Sequence, residues 1–221
     1  HYLIDSLAGA ELRLGIPRDA GPVLRFDAPW ELNFCGYVTV FRDGEVYRMY
    51  YRGLPSDGKD GSTAETTCYA ESPDGIAWTK PKLGLFELMG TRENNVVLAD
   101  LAPFSHNFAP MLDTRAGVSA EEKYKALAGT SETGLFVFVS GDGIHWRKRD
   151  EKPVISKGAF DSQNIAFWSE TEQLYLCYMR TWSEGSFGGF RSVSRCTSPD
   201  FVTWSEPVEM DFGGTPREHL Y

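Results

Sequence analysis

The sequence predicts an all-β chain made of repeated antiparallel sheet units, and three observations carry that prediction. A seven-residue turn is written three times: Ser-Pro-Asp-Gly-Ile-Ala-Trp at 72–78, Ser-Gly-Asp-Gly-Ile-His-Trp at 140–146 and, more loosely, Ser-Pro-Asp-Phe-Val-Thr-Trp at 198–204. Asp-Gly between two β-rich runs is a strong hairpin signal, because glycine takes the positive φ that the turn demands. Each copy follows a β-rich run (66–70, 135–139 and 192–196) and precedes a proline (Pro81, Pro153, Pro207). The copies recur at a spacing of about 60 residues, a period that fits propeller blades better than a sandwich.

The chain divides accordingly. Residues 1–29 form a lead-in without clear periodicity. Within it 5–14 reads as a short helix or a lead-in strand, and Pro17, Pro22 and Pro29 keep the remainder extended. The first unit, about residues 30–100, holds strands at 36–41, 46–52, 65–70 and 94–98. The second, 101–158, holds 107–112, 124–128, 135–139 and 153–155. The third, 159–221, holds 164–168, 174–180, 192–196 and a tail. Ser119 with Glu122 fits a capping box, but the following run alternates as a strand does and is read as one.

Units one and three overlay at a constant offset, with Tyr47 on Tyr175, Tyr50 on Tyr178 and Arg52 on Arg180. Known propellers have about four to eight blades. Three cannot close a ring, so the blades read here are expected to be part of a larger one, with the missing blades supplied by the remainder of the protein or by another chain.

Composition narrows the function classes. Of 221 residues, 42% are hydrophobic and 14% aromatic, enough for a sizeable core. The net charge of −9 leaves no basic stripe to meet phosphates, so nucleic acid is not an expected partner. Arg147-Lys148-Arg149 reads as a solvated strand or turn face. No apolar run reaches the roughly 20 residues of a membrane span, and no membrane partner is expected. Cys35, Cys68, Cys177 and Cys196 lack metal-ligand spacing. Cys177 and Cys196 fall on neighbouring strands, either bridged or as buried thiols. The compartment stays open, with a periplasmic or secreted location favoured over the cytoplasm.

The turn resembles a sialidase Asp box, Ser-x-Asp-x-Gly-x-x-Trp, shortened by one residue. In that form it is similar to the turns of the five-bladed propellers of glycoside hydrolase families 43, 32, 68 and 130. Trp30-Glu31 ahead of Cys35-Gly36-Tyr37, the run 47–53, and Asn94-Asn95 after the first turn extend the resemblance across 30–221, towards a bacterial branch of these glycosidase-like proteins.

The resemblance implies a carbohydrate partner and cleavage of glycosidic bonds by paired carboxylates that project into a central funnel from the starts of inner strands. Carried onto this chain, the blade-three carboxylate is Asp161 and the blade-one carboxylate is Glu31, where the families mostly show aspartate. The overlay, however, sets Asp161 on Asn33. The families' general acid belongs to a fourth blade, to which Glu218 lies nearest. Trp30, Arg52, His106, Asn107 and Arg180 are the candidate substrate-binding residues, with Trp182 a further aromatic. Neither a cofactor nor a metal is expected. Two other functions stand beside hydrolysis. One is a phosphorylase of the family 130 type, which needs basic groups in the funnel. The other is a non-catalytic carbohydrate-binding or scaffold propeller.

Overall fold

The computed structural model describes residues 5–185 and 187–218; positions 219–221 of the third unit lie outside the described residues. Its strands form three four-stranded antiparallel sheets, each ordered as in the sequence. The first contains β1 (Gly36–Asp43), β2 (Val46–Gly53), β3 (Thr66–Ser72) and β4 (Val96–Leu98). The second contains β5 (Ala109–Leu112), β6 (Tyr124–Ala128), β7 (Phe136–Ser140) and β8 (Arg147–Lys148). The third contains β9 (Ile165–Ser169), β10 (Leu174–Trp182), β11 (Arg191–Ser198) and β12 (Val208–Glu209). These are three consecutive blades of a β-propeller. The inner strands β1, β5 and β9 pack against one another in chain order.

The repeated turn is the same object in each blade. Ser72 Oγ accepts the Gly75 N–H at 2.9 Å, and Asp74 Oδ1 accepts those of Ile76 and Ala77 at 2.8 and 2.7 Å. Ser140 with Asp142, and Ser198 with Asp200, make the same bonds. The side chains thus satisfy amides that the turn takes out of the ladder. The indole of Trp78, Trp146 and Trp204 donates back to the carbonyl of the fourth motif residue. That residue has φ of 77° at Gly75 and 78° at Gly143, and 67° at Phe201. Phe201 accepts the left-handed backbone because its fully buried ring packs on Tyr175 and Trp204, at 5.0 and 5.4 Å.

Register confirms the sequence overlay. A tyrosine of the second strand faces the turn serine in every blade: Tyr47 opposite Ser72, Tyr124 opposite Ser140, Tyr175 opposite Ser198. Three expectations need correction. The fourth strand of the second blade is Arg147–Lys148, directly after the turn, and Ile155 adds only a single bridge to Leu135. Pro153 contributes no ladder donor there, which keeps 153–155 from forming a full strand. The Ser119 motif caps one short 3₁₀ turn, Ala120–Glu122, before β6 begins. Segment 5–14 adopts no regular structure among the described residues.

Cores lie between blades. Phe108, Ala126 and Phe138 of blade two meet Leu98 of blade one. Trp146, half-buried, stands between them, edge-on to Phe108 at 5.0 Å and to Tyr50 at 6.0 Å. Leu127, Leu135, Val137 and Val139 meet Tyr175, Cys177, Met179 and Cys196 of blade three. A buried Lys125–Asp113 pair at 2.5 Å reinforces that contact, with Tyr175 donating to the same carboxylate at 2.6 Å. The outer face of blade one is covered by the lead-in through Leu24, Phe26 and Ala28. All four cysteines are free, and Cys177 faces Cys196 across β10 and β11. No helix among the described residues is long and apolar enough to cross a membrane.

Candidate functional site at the axial mouth

The starts of the three inner strands converge, and Tyr37 joins them. Its hydroxyl donates to the Asp161 carbonyl at 2.9 Å, just ahead of β9. Its ring meets the His106 imidazole edge-on at 5.6 Å, just ahead of β5. The Arg52 guanidinium lies over the same ring at 4.8 Å. Gln163 closes the arrangement by donating to Thr39 Oγ1 at 2.7 Å and to the carbonyls of Tyr37 and Val38. Below this mouth, β1, β5 and β9 line an axial cavity of about 300 Å³ with Val40, Pro110 and Phe167 in its wall.

Two charged groups flank Tyr37. On one side Arg52, almost fully buried, donates to Asp60 at 2.9 Å and to the buried Glu65 at 3.4 Å. His106 Nδ1 lies 3.0 Å from both Glu65 oxygens and 3.0 Å from Arg52 Nη1. Burial alone would raise the Glu65 carboxyl, but hydrogen bonds from His106 and the Gly61 N–H, with the charge of Arg52, outweigh it and hold the carboxyl below its usual range. On the other side Arg180, also nearly buried, pairs with Asp161, whose side chain remains 47% exposed.

Asp60, Glu65 and His106 present atoms within 4.8 Å of one another, a spacing that could hold a metal ion. Arg52 Nη1 stands among all three at 2.9–3.4 Å, so a guanidinium already supplies the positive charge there.

The candidate residues are therefore brought together in part. Arg52, His106, Asp161 and Arg180 share the mouth. Asn107 adjoins it but is buried, its amide donating to the carbonyls of Gly129, Phe160 and Ser162 and so tying blade two to the entrance of blade three. Trp182 ends β10 beside the guanidiniums of Arg180 and Arg191, at the edge of a cleft of about 690 Å³ between blades two and three.

Glu31 and Trp30 lie elsewhere. Glu31 is completely buried on the face of β2 that carries Tyr51, whereas Arg52 points to the opposite face, as neighbours on a strand must. Its carboxylate accepts from Tyr51 OH at 2.5 Å, Lys80 Nζ at 2.5 Å, the Ala28 N–H at 3.1 Å and Asn95 at 3.4 Å. Trp30 donates to Asn95 at 2.9 Å. Both residues anchor the lead-in to blade one, and the expectation that Glu31 pairs with Asp161 across the funnel is corrected. Glu218 is exposed beyond the edge strand β12.

Glu65, Asp60 and Tyr37 complete the mouth and were not singled out from sequence. Glu65 opens the third-strand run at 65–70, and a carboxylate at a strand's start was the available signal.

No family model and no curated protein matches this sequence. Solved structures do match by fold. One belongs to work on the glycoside hydrolase family 130 mannoside phosphorylases, a family described as containing hydrolases of β-1,2-mannosidic linkages in Candida mannan. It superposes with a TM-score of 0.55 at 13% identity over 83% of this chain and 54% of that one. A glycosyl hydrolase from Bacteroides ovatus gives 0.55 at 16% identity over 86% and 57%. A fructofuranosidase from Schwanniomyces occidentalis in complex with fructosylnystose gives 0.56 at 13% over 81% and 34%. The chain thus has the propeller fold of glycoside hydrolase-type proteins and spans less than two thirds of the length of each structure.

Proposed function

We propose that these blades form part of a five-bladed propeller that binds saccharide at the axial mouth and hydrolyses a glycosidic bond there, with Asp161 as the reacting carboxylate. The carrying observation is the Tyr37 junction. It sets an exposed aspartate, seated on a nearly buried arginine, at the point where the three inner strands converge. Carbohydrate-processing neighbours of the same fold support the substrate class, although fold alone does not carry chemistry.

An arginine-paired carboxylate suits the base or nucleophile role, since the cation favours its charged form. Asp60, the other exposed carboxylate beside Tyr37, is likewise paired to an arginine. The proton donor of the reaction is accordingly assigned to a residue outside these three blades. Phosphorolysis ranks second on one specific ground. Arg52 is held by Asp60 and Glu65, and Arg180 by Asp161, so phosphate binding at either arginine would place it against carboxylates.

The test is a screen of the intact protein on aryl glycosides and plant, algal and fungal polysaccharides, with and without phosphate. Phosphate-independent release that Asp161→Asn lowers by about 10²–10⁴-fold fits the proposal. Strict phosphate dependence supports a phosphorylase. Saccharide binding without turnover supports a binding propeller.

A further inference from the structure

His106, a candidate substrate-binding residue from the sequence, is one end of a buried dyad. Glu65 is fully buried and holds His106 Nδ1 at 3.0 Å from each carboxylate oxygen, with the Gly61 N–H on Oε1 at 2.8 Å. Arg52 Nη1 also lies 3.0 Å from Nδ1, but a guanidinium only donates, and its own partners are Asp60 and Glu65. A carboxylate only accepts, so the two Glu65 contacts require a proton on Nδ1. The groups facing the imidazole are therefore Arg52 from β2, Asp60 and Glu65 from the loop before β3, and Tyr37 from β1.

We propose that Glu65 is a positioning residue of the axial mouth: it fixes His106 as the Nδ1–H tautomer and leaves Nε2 as the hydrogen-bond acceptor for a hydroxyl of the bound saccharide. The tautomer of an imidazole is set by the bond its other nitrogen makes, and here that bond is buried and charge-assisted. Nδ1 is taken by Glu65 and Arg52, which leaves Nε2 as the ring nitrogen for a ligand reached through the 11% of the side chain that stays exposed. The guanidiniums of Arg52 and Arg180 only donate, whereas a sugar hydroxyl needs acceptors as well. In the Nδ1–H tautomer His106 Nε2 supplies such an acceptor, on the other side of Tyr37 from Asp161. The saccharide clause rests on the proposed function; the tautomer does not.

Long-range ¹H–¹⁵N spectra of histidine-labelled intact protein test it, with His106 assigned through the resonances missing in His106→Gln. The expected result is an Nδ1–H ring in the wild type, a loss of that single tautomer in Glu65→Ala, and its return in Glu65→Gln, which keeps an acceptor oxygen. An Nε2–H ring in the wild type, or a tautomer indifferent to Glu65→Ala, overturns the proposal, and the wild-type reading stands even if a variant fails to fold. Titration with a panel of methyl glycosides then reads the saccharide clause. An Nε2 shift on binding, with affinity reduced about tenfold in Glu65→Ala and restored in Glu65→Gln, supports it. Binding that leaves Nε2 unmoved overturns the acceptor role. Absence of binding with the tautomer intact refutes the saccharide reading of the mouth and leaves the positioning role standing.

Discussion

Replacing Glu31 by glutamine separates a structural carboxylate from a catalytic one. The carboxylate is fully buried and accepts four hydrogen bonds, one of them charge-assisted from Lys80 at 2.5 Å. Removing one partner of a buried ion pair costs about 3–5 kcal/mol. Here Lys80 is 21% exposed and keeps the Arg25 carbonyl at 2.6 Å and Asp27 at 3.4 Å, so its charge is not stranded. Glutamine also preserves the shape and one acceptor oxygen. The expected loss is therefore about 2–3 kcal/mol, below that range. For a chain of this length that corresponds to a drop of about 4–12 °C in the unfolding midpoint. Urea unfolding of wild type, Glu31→Gln, Lys80→Met and the double variant gives the loss and the coupling between the pair. Saccharide turnover by the folded variant at low temperature should stay within about twofold of wild type. A loss below about 0.5 kcal/mol together with abolished turnover would refute the structural assignment and return Glu31 to the catalytic pair.

Trp146→Ala should cost about 2–4 kcal/mol, at or below the usual core-aromatic range, because the ring is half-buried between Tyr50 and Phe108; a loss under about 1 kcal/mol in urea unfolding would place it at the periphery. Gly143→Ala should destabilise more than Gly75→Ala. Both glycines have positive φ, but a Cβ at 143 would sit 2.7 Å from Tyr50 Oη, whereas nothing approaches 75 closer than 3.9 Å; equal losses would contradict the interblade packing. The carboxyls of Asp74, Asp142 and Asp200 are lowered. At Asp74 the Ala77 and Ile76 amides do this directly; at Asp142 and Asp200 burial opposes the shift and is outweighed by bonds from His145 and Thr203. Their contribution is thus present above the unfolded value of about 3.9 and is lost as pH falls below it. Stability measured against pH should decline through that acid window, and Asp142→Asn should flatten the decline; an unchanged slope would remove the turn from the pH dependence.

The architecture was legible because it is repeated. Three copies of a turn that uses serine, aspartate and tryptophan in fixed bonding roles located the sheets, and the tyrosine facing each turn serine fixed their register. The fourth strands were harder to read, because each is broken soon after the turn. Thr79, Arg147 and Ser205 all resume pairing opposite the residue before the turn serine, but the continuation then varies in length. The mouth was half legible. Asp161, His106, Arg52 and Arg180 follow from standing at the ends of inner or second strands. Glu31 was misplaced because it was carried over from the family resemblance, against an overlay that already set Asp161 on Asn33. That overlay was itself short, because aligning the second strands does not align the inner ones. Ala166 pairs with Cys177 while Val40 pairs with Met49, so the hairpin of blade three is two residues longer. That slip, with the irregular pairing between Gly36 and Thr39, moves the blade-one entrance away from Glu31. Glu65 carried no motif of its own; only the fold brings it to His106.

The central claim is that saccharide engages the mouth joined by Tyr37. Backbone amide shifts of the intact protein, followed while titrating the saccharides selected by the hydrolysis screen, test it most directly. The account predicts saturable shifts concentrated at Tyr37, at His106 and Asn107, and at 161–163, all diminished in Asp161→Asn. Shifts that avoid these positions and gather instead around Trp182 and Glu209 in the cleft between blades two and three would contradict it.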